Sequence, residues 1–274
     1  LLATGGEDDR AFIWTIKSSD TGLKYEKLLE TEKFEDSVTM LKFSSDGKYL
    51  AVSDMSGKIR VYQVNDTCEL FWCYDTEIDL ETLDWHPGCN VLFCATAEGQ
   101  FMMFKISTNE IKIMYSGDDC SLTCFKILKE GKHAVCCYAN GNVRMWDLKT
   151  GQATFSIVKA HEEEVLCMDV SEDGRLLVTG GVDMKVNVIT LNNGKIVWKF
   201  TVESMKSSVA ESAAENDDNN NLIENSIESV GLCKTQPIVA CCTVNGQIIT
   251  WDMNTHAMRH KIDYETGFSK LMWA

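Results

Sequence analysis

The sequence predicts an all-β protein assembled from copies of one four-stranded unit, and three observations carry that prediction. Short strand-like runs alternate with Asp-Gly, Asn-Gly, Glu-Gly or Ser-Gly turns, only two prolines occur, and no helical spacing of apolar residues persists for the length of a domain. The segments VTMLKF (38–43), LETLDW (80–85), LTCFKI (122–127), VLCMDV (165–170), IESVGL (227–232) and FSKLMW (268–273) align, with the first, fourth and sixth positions apolar in every copy. Their last residues are about 42 apart except for one step about 20 longer, which matches the period of a propeller blade. Four strands per repeat of this length describe a β-propeller, in which radial packing buries both faces of each small sheet.

Read in order, the chain begins inside a first repeat that lacks its inner strand, and turn signals then mark five complete repeats within residues 37–262. The fourth repeat shows the pattern plainly: SLTCFKIL, HAVCCYA, NVRMWDL and QATFSIV are separated by Lys-Glu-Gly-Lys, Asn140-Gly141 and Lys149-Thr150-Gly151. Asp46-Gly47 and Asp173-Gly174 are turn formers in the second and fifth repeats. The one long step is an acidic insertion, residues 202–226, containing AESAAENDDNNN; with almost no aromatic or β-branched side chains it cannot offset the entropy of ordering and is expected to be disordered. A seventh repeat is represented only by residues 267–274. The expected organisation is a single propeller domain over residues 1–274, incomplete at both ends, with about six blades present.

Composition narrows the function classes. A hydrophobic content of 45% over 274 residues supports one large core, while 26 basic against 41 acidic residues give a net charge of −15. That balance argues against direct nucleic-acid binding and for a basic partner. No run reaches the ~18 to 20 apolar residues of a membrane span, and LLATGGEDDR is unlike a signal peptide, so a cytoplasmic location is expected. The twelve cysteines lie in apolar strands and include the neighbours Cys136-Cys137 and Cys241-Cys242, whose side chains point to opposite faces; they read as small core residues in a reducing compartment. Cys120 and Cys124 lack a second pair at metal spacing, so neither a metal nor a cofactor is expected.

Trp146-Asp147 and Trp251-Asp252 close the third strands of their repeats, and TGGED at 4–8 is matched by TGGVD at 179–183. These residues resemble WD repeats. The resemblance implies a structural hydrogen-bonded tetrad of His, Ser or Thr, Asp and Trp, to which His161, Thr179 and Asp183 are assigned in the fifth repeat, with Ile189 in place of the Trp. Trp14, Trp146 and Trp251 take the Trp position elsewhere, and Asn140 stands where the fourth repeat would carry Asp. At finer grain GGEDDRAFIW (5–14), SDMSGKIRVYQV (53–64), DLETLDWHP (79–87), NGNVRMWDLKTG (140–151) and NSIESVGLC (225–233) resemble the angio-associated migratory cell protein family over essentially the whole chain. That resemblance implies an eight-bladed propeller of which this chain is a fragment, monomeric as the full-length protein.

In a WD blade the strands run a, b, c, d outward from the axis, so b–c and d–a loops emerge on one face. The d–a loops are EKFED (32–36), DTEIDLE (75–81), SGDD (116–119), AHEEE (160–164) and the insertion; EDD (7–9) is a b–c loop. About 27 of the 41 acidic residues fall on this face, whereas the opposite loops mix signs, and such a one-signed field attracts basic ligands at long range. The partner-binding residues predicted are Glu7, Asp8, Asp9, Asp75, Glu77, Asp79, Glu81, Asp118, Asp119, Glu162, Glu163 and Glu164. The five histidines (His86, His133, His161, His256 and His260) do not converge, so no catalytic residue is assigned and the chain is not expected to be an enzyme. The family resemblance implies a non-enzymatic scaffold that captures a basic segment of a client: its fungal member is similar to a chaperone of a newly made large-subunit ribosomal protein. A signalling scaffold in cell migration or angiogenesis is the alternative, and a propeller enzyme the remote one.

Overall fold

The computed structural model describes residues 1–19, 22–65, 67–115, 120–203 and 225–273. Among these residues the regular structure is all strand, in six sheets. The first has three strands, β1 (Leu2–Gly5), β2 (Ala11–Ser19) and β3 (Gly22–Glu30). Five four-stranded sheets follow. They are β4 (Val38–Phe43), β5 (Tyr49–Asp54), β6 (Lys58–Gln63) and β7 (Glu69–Asp75); β8 (Leu80–Trp85), β9 (Val91–Thr96), β10 (Gln100–Lys105) and β11 (Glu110–Tyr115); and β12 (Leu122–Ile127), β13 (His133–Tyr138), β14 (Val143–Asp147) and β15 (Gln152–Ile157). The last two are β16 (Val165–Val170), β17 (Leu176–Gly181), β18 (Lys185–Thr190) and β19 (Lys195–Thr201), then β20 (Ile227–Leu232), β21 (Ile238–Thr243), β22 (Gln247–Asp252) and β23 (Met258–Asp263). Neighbours in every sheet are consecutive in sequence, the meander of a propeller blade.

The repeat extends to irregularities. The ladder between first and second strands slips between Val38 and Met40, Leu80 and Thr82, Val165 and Cys167, and Ile227 and Ser229. Third and fourth strands carry a bulge at Trp14, Tyr62, Ile189 and Trp251, which hold one equivalent position in four sheets.

Second strands such as β5, β9, β13, β17 and β21 are buried along nearly their whole length. A strand covered on both faces reads as a continuous apolar run, and its tight neighbours favour small side chains; hence Cys94, Cys136, Cys137, Cys241 and Cys242 lie in the core. Burial pushes the Cys241 thiol up to about 12. Cys73 and Cys89 depart from the core expectation: they are exposed, the first on an outer strand and the second in the turn before β9. Residues 268–273, aligned as an inner strand, form none here. No further strand among the described residues pairs with them, and they hold to the sixth sheet through Phe268 N–H to the Thr243 carbonyl (3.2 Å).

By compactness the chain divides into two units, Leu1–Ala134 with Asp147–Gln152, and Val135–Trp146 with Ala153–Ala274. Leu50 and Val52 pack in the first unit with Ala11, Ile13, Phe34 and Val38, while Ile59 and Val61 pack with Leu83, Trp85, Leu92 and Phe104. Each such Val, Leu, Ile or Phe side chain contributes about 1.5–3 kcal/mol on burial. In the second unit Val178, Val186, Val188 and Phe200 pack against Ile227, Val239 and Trp251.

Candidate functional site

In the second unit one buried histidine fixes the path of an acidic loop. His161 lies with Nδ1 2.8 Å from Asp183 Oδ1 and Nε2 2.8 Å from Thr179 Oγ1. Asp183 also accepts the N–H groups of Glu162 and Lys185, both at 3.1 Å. Burial pushes the Asp183 carboxyl up, but His161 and the two backbone donors outweigh it and hold the pKa below the ordinary value. Asn187 Nδ2 donates to the Ala160 carbonyl at 2.7 Å. Gly181 leaves the space that the loop needs: a Cβ there would collide with the Glu164 carbonyl and crowd His161 Nδ1. So held, the loop turns Glu162 and Glu163 to solvent; Glu164 is half-buried and Glu162 pairs with Lys185 at 2.6 Å.

Other repeats fill the same places with different chemistry. Trp14 Nε1 donates to Thr4 Oγ1 at 3.0 Å. Asp8, in the register of Asp183, accepts the Arg10 N–H at 3.4 Å and is exposed, so a residue expected to meet a partner also occupies a structural position. Trp146 Nε1 donates to the Tyr138 hydroxyl at 3.3 Å, with Tyr138 standing where Gly181 stands in the fifth repeat. Trp251 stacks on Phe200, centroids 5.0 Å apart.

In the first unit Phe34 takes the place of His161 and is 3% exposed. Arg60, the counterpart of Asn187, lies over its ring at 4.1 Å and donates to the carbonyls of Glu32 (3.1 Å) and Lys33 (3.3 Å). Neither Arg60 nor Asn187 stood out in the sequence; the signal was their shared place two residues before Tyr62 and Ile189. The next loop, residues 75–81, is anchored at Gly57, whose φ is +86°. Its carbonyl accepts the Thr76 N–H at 3.2 Å and lies 2.8 Å from the Thr76 hydroxyl, and a Cβ on Gly57 would collide with the Ile78 carbonyl. The Asp79 carbonyl accepts the Ala97 N–H at 2.9 Å, and the Ser121 hydroxyl donates to Glu81 at 2.9 Å.

Thr76, Ile78 and Leu80 are thereby half-buried, and Asp75, Glu77, Asp79 and Glu81 are all exposed. Further hydrogen bonds join the neighbouring loops: Phe34 N–H to the Asp9 carbonyl (2.7 Å), Val38 N–H to Gly6 (3.1 Å) and Met55 N–H to Ser37 (3.0 Å). The b–c and d–a loops of the first unit are therefore one connected surface, from Glu7 to Glu81. Asp9 pairs with Lys33 at 2.9 Å and Glu35 with Lys58. Glu35, and less strongly Asp75, raise the Lys58 pKa. Glu7, Glu77, Asp79 and Glu81 form no ion pair among the described residues. Asp118 and Asp119 lie outside the described residues.

Carboxylates at the opposite end are spent on turns. Asp46 accepts the Ser44 hydroxyl (2.7 Å) and the Lys48 N–H (3.0 Å), which with Asn90 and Lys48 hold its pKa at about 2. Asp173 likewise accepts from Ser171 (2.6 Å) and Arg175 N–H (3.1 Å). The histidines other than His161 are dispersed: His86 Nε2 meets the Gly131 carbonyl at 2.8 Å, His133 meets Glu130 at 2.9 Å, and His256 lies against Trp198. Among the described residues no group of three His, Cys, Asp or Glu is placed to hold a metal ion, and no helix is long and apolar enough to cross a membrane.

A family model described as the NUP159/214 beta propeller matches residues 10–172. The human angio-associated migratory cell protein is 34% identical over 275 residues, covering all of this chain and 60% of the relative. The ribosome assembly protein Sqt1 of Saccharomyces cerevisiae is 25% identical over 296 residues, covering all of this chain and 65% of the relative; its crystal structure superposes with a TM-score of 0.82 at 22% identity, over 99% of this chain and 74% of that one. A crystal structure of Chaetomium thermophilum Sqt1 bound to the N-terminus of ribosomal protein L10 superposes with a TM-score of 0.76 at 18% identity, over 98% and 73%. The chain thus spans about three-fifths of the length of the curated relatives it matches.

Proposed function

From the premise that this chain belongs to the NUP159/214-type β-propellers and, among WD-repeat proteins, to the angio-associated migratory cell protein family, we propose that it captures a basic segment of a client protein on its acidic loops. The client is a newly made large-subunit ribosomal protein, shielded until it is assembled. One observation carries the reading: Glu77, Asp79 and Glu81 are exposed in alternation along an anchored loop and pair with no cation among the described residues. Fixed, unpaired carboxylates lose little conformational entropy on meeting a Lys/Arg-rich segment, and their summed field speeds its arrival. The Sqt1 complex with the L10 N-terminus supplies the client class. We assign the chain no reaction and place it in the cytoplasm, where ribosomal proteins are made.

The test is fluorescence anisotropy with a labelled peptide of the L10 N-terminus at low and high salt, beside a copy whose Lys and Arg are replaced by Gln. Saturable binding that weakens steeply with salt and disappears in the neutral copy is the expected outcome. Equal binding of the two peptides overturns the proposal.

A further inference from the structure

We propose that Asp54 is a buried anchor for one cationic side chain of the client, an inference that rests on the basic-client reading above. Asp54 ends β5 and is 1% exposed. Its Oδ1 accepts the Ser56 hydroxyl at 2.7 Å and the Lys58 N–H at 2.9 Å, so the carboxylate points into the b–c turn on the acidic side. Its Oδ2 is buried without a hydrogen-bond partner among the described residues.

The turn does not require a carboxylate. At the same place in the third sheet Thr96 Oγ1 accepts the Gln100 N–H at 3.1 Å, and in the sixth Thr243 Oγ1 accepts the Gln247 N–H at 3.1 Å. Threonine thus makes the cap without burying a second oxygen that has nothing to accept. An unsatisfied buried carboxylate oxygen is costly, and a ligand that brings a donor to it relieves that cost.

The surroundings specify the ligand's charge. Lys58, whose N–H caps Asp54, is paired by its ammonium with Glu35 and sits opposite Asp75 in the ladder. A further anion is repelled here, whereas a guanidinium or ammonium group supplies the donor that Oδ2 lacks. Met55, the next residue, is 56% exposed, and its N–H donates to the Ser37 carbonyl at 3.0 Å. Outer carboxylates then govern arrival, and Asp54 governs residence.

Stopped-flow binding of the L10 N-terminal peptide to the 274-residue chain, to Asp54→Thr and to Asp54→Asn separates the possibilities, with thermal melting measured in parallel. Asp54→Thr is expected to melt at or above the parent temperature and to raise koff tenfold or more with kon unchanged. Should Asp54→Thr melt lower, Asp54→Asn, which retains the Oδ1 acceptor, decides by the same criterion. An unchanged koff in these variants overturns the anchor and leaves Asp54 as a turn cap. Absence of peptide binding by the parent chain at low salt overturns the basic-client reading itself, and the anchor with it.

Discussion

His161 shows how much of a loop one side chain can determine. Its two ring nitrogens join Thr179 on β17 to Asp183 in the following turn, and Asp183 in turn holds the Glu162 N–H. His161→Ala leaves the hydroxyl of Thr179, which is 0% exposed, without its partner and takes from Asp183 one of its three donors, which costs about 2–4 kcal/mol, measurable by urea unfolding. The pH dependence follows from Asp183. Its folded pKa lies below the ordinary 3.8, so the stability it contributes is present above that value and is lost as pH falls through the lower, folded one. Asp183→Asn should therefore lower stability at neutral pH and flatten the decline below about pH 3.8. If the acid limb keeps its slope in Asp183→Asn, the carboxylate is not linked to folding in this way.

Strands, turns and the period were legible in the sequence because each rests on a local rule: apolar first, fourth and sixth positions in the inner strand, and glycine where a turn needs positive φ, as at Gly57 and Gly141. What was not legible are exchanges that keep a place and change its chemistry. Phe34 for His161, Tyr138 for Gly181 and Arg60 for Asn187 share no residue type, and only their equal spacing from neighbouring strand positions puts them in correspondence. Asp46-Gly47 and Asp173-Gly174, by contrast, read as turn formers, and each Asp caps its turn, because a short carboxylate two residues before an N–H closes an Asx-type loop. The insertion falls largely outside the described residues, but its flanks are defined: Val202 is 3% exposed with its N–H on the Met184 carbonyl, and the Ser226 carbonyl accepts from Val244. Replacing residues 204–224 by about six Gly and Ser residues shortens the loop and should raise stability by at most about 1 kcal/mol. A loss of several kcal/mol on denaturant unfolding would show that the segment packs against the sheets.

At the scale of the whole molecule, a net charge of −15 acts on any basic ligand from any side, so the weight of the acidic loops has to be separated from that of total charge. Asp79→Lys with Glu81→Lys changes the net charge by +4, from −15 to −11. A control must make the same change without damage to the fold, which rules out the turn-capping Asp46 and Asp173. Glu69 and Glu110 are suitable: both are exposed at the first residue of an outer strand, β7 and β11, at the opposite end of their sheets from the acidic loops, and Glu110 has only a surface pairing with Lys105. Surface pairs of that kind are worth about 0–1 kcal/mol, so both double variants should melt close to the parent. If the loops bind the client, reversal at Asp79 and Glu81 should weaken the L10 peptide by about 1–3 kcal/mol, mainly through slower association at low salt, because the peptide approaches within a Debye length of about 8–10 Å of those charges. Reversal at Glu69 and Glu110 acts only through the screened far field and should cost a few tenths of a kcal/mol, on the order of what screening leaves. Equal losses from the two pairs would mean that total charge, rather than the arrangement of residues 75–81, attracts the peptide.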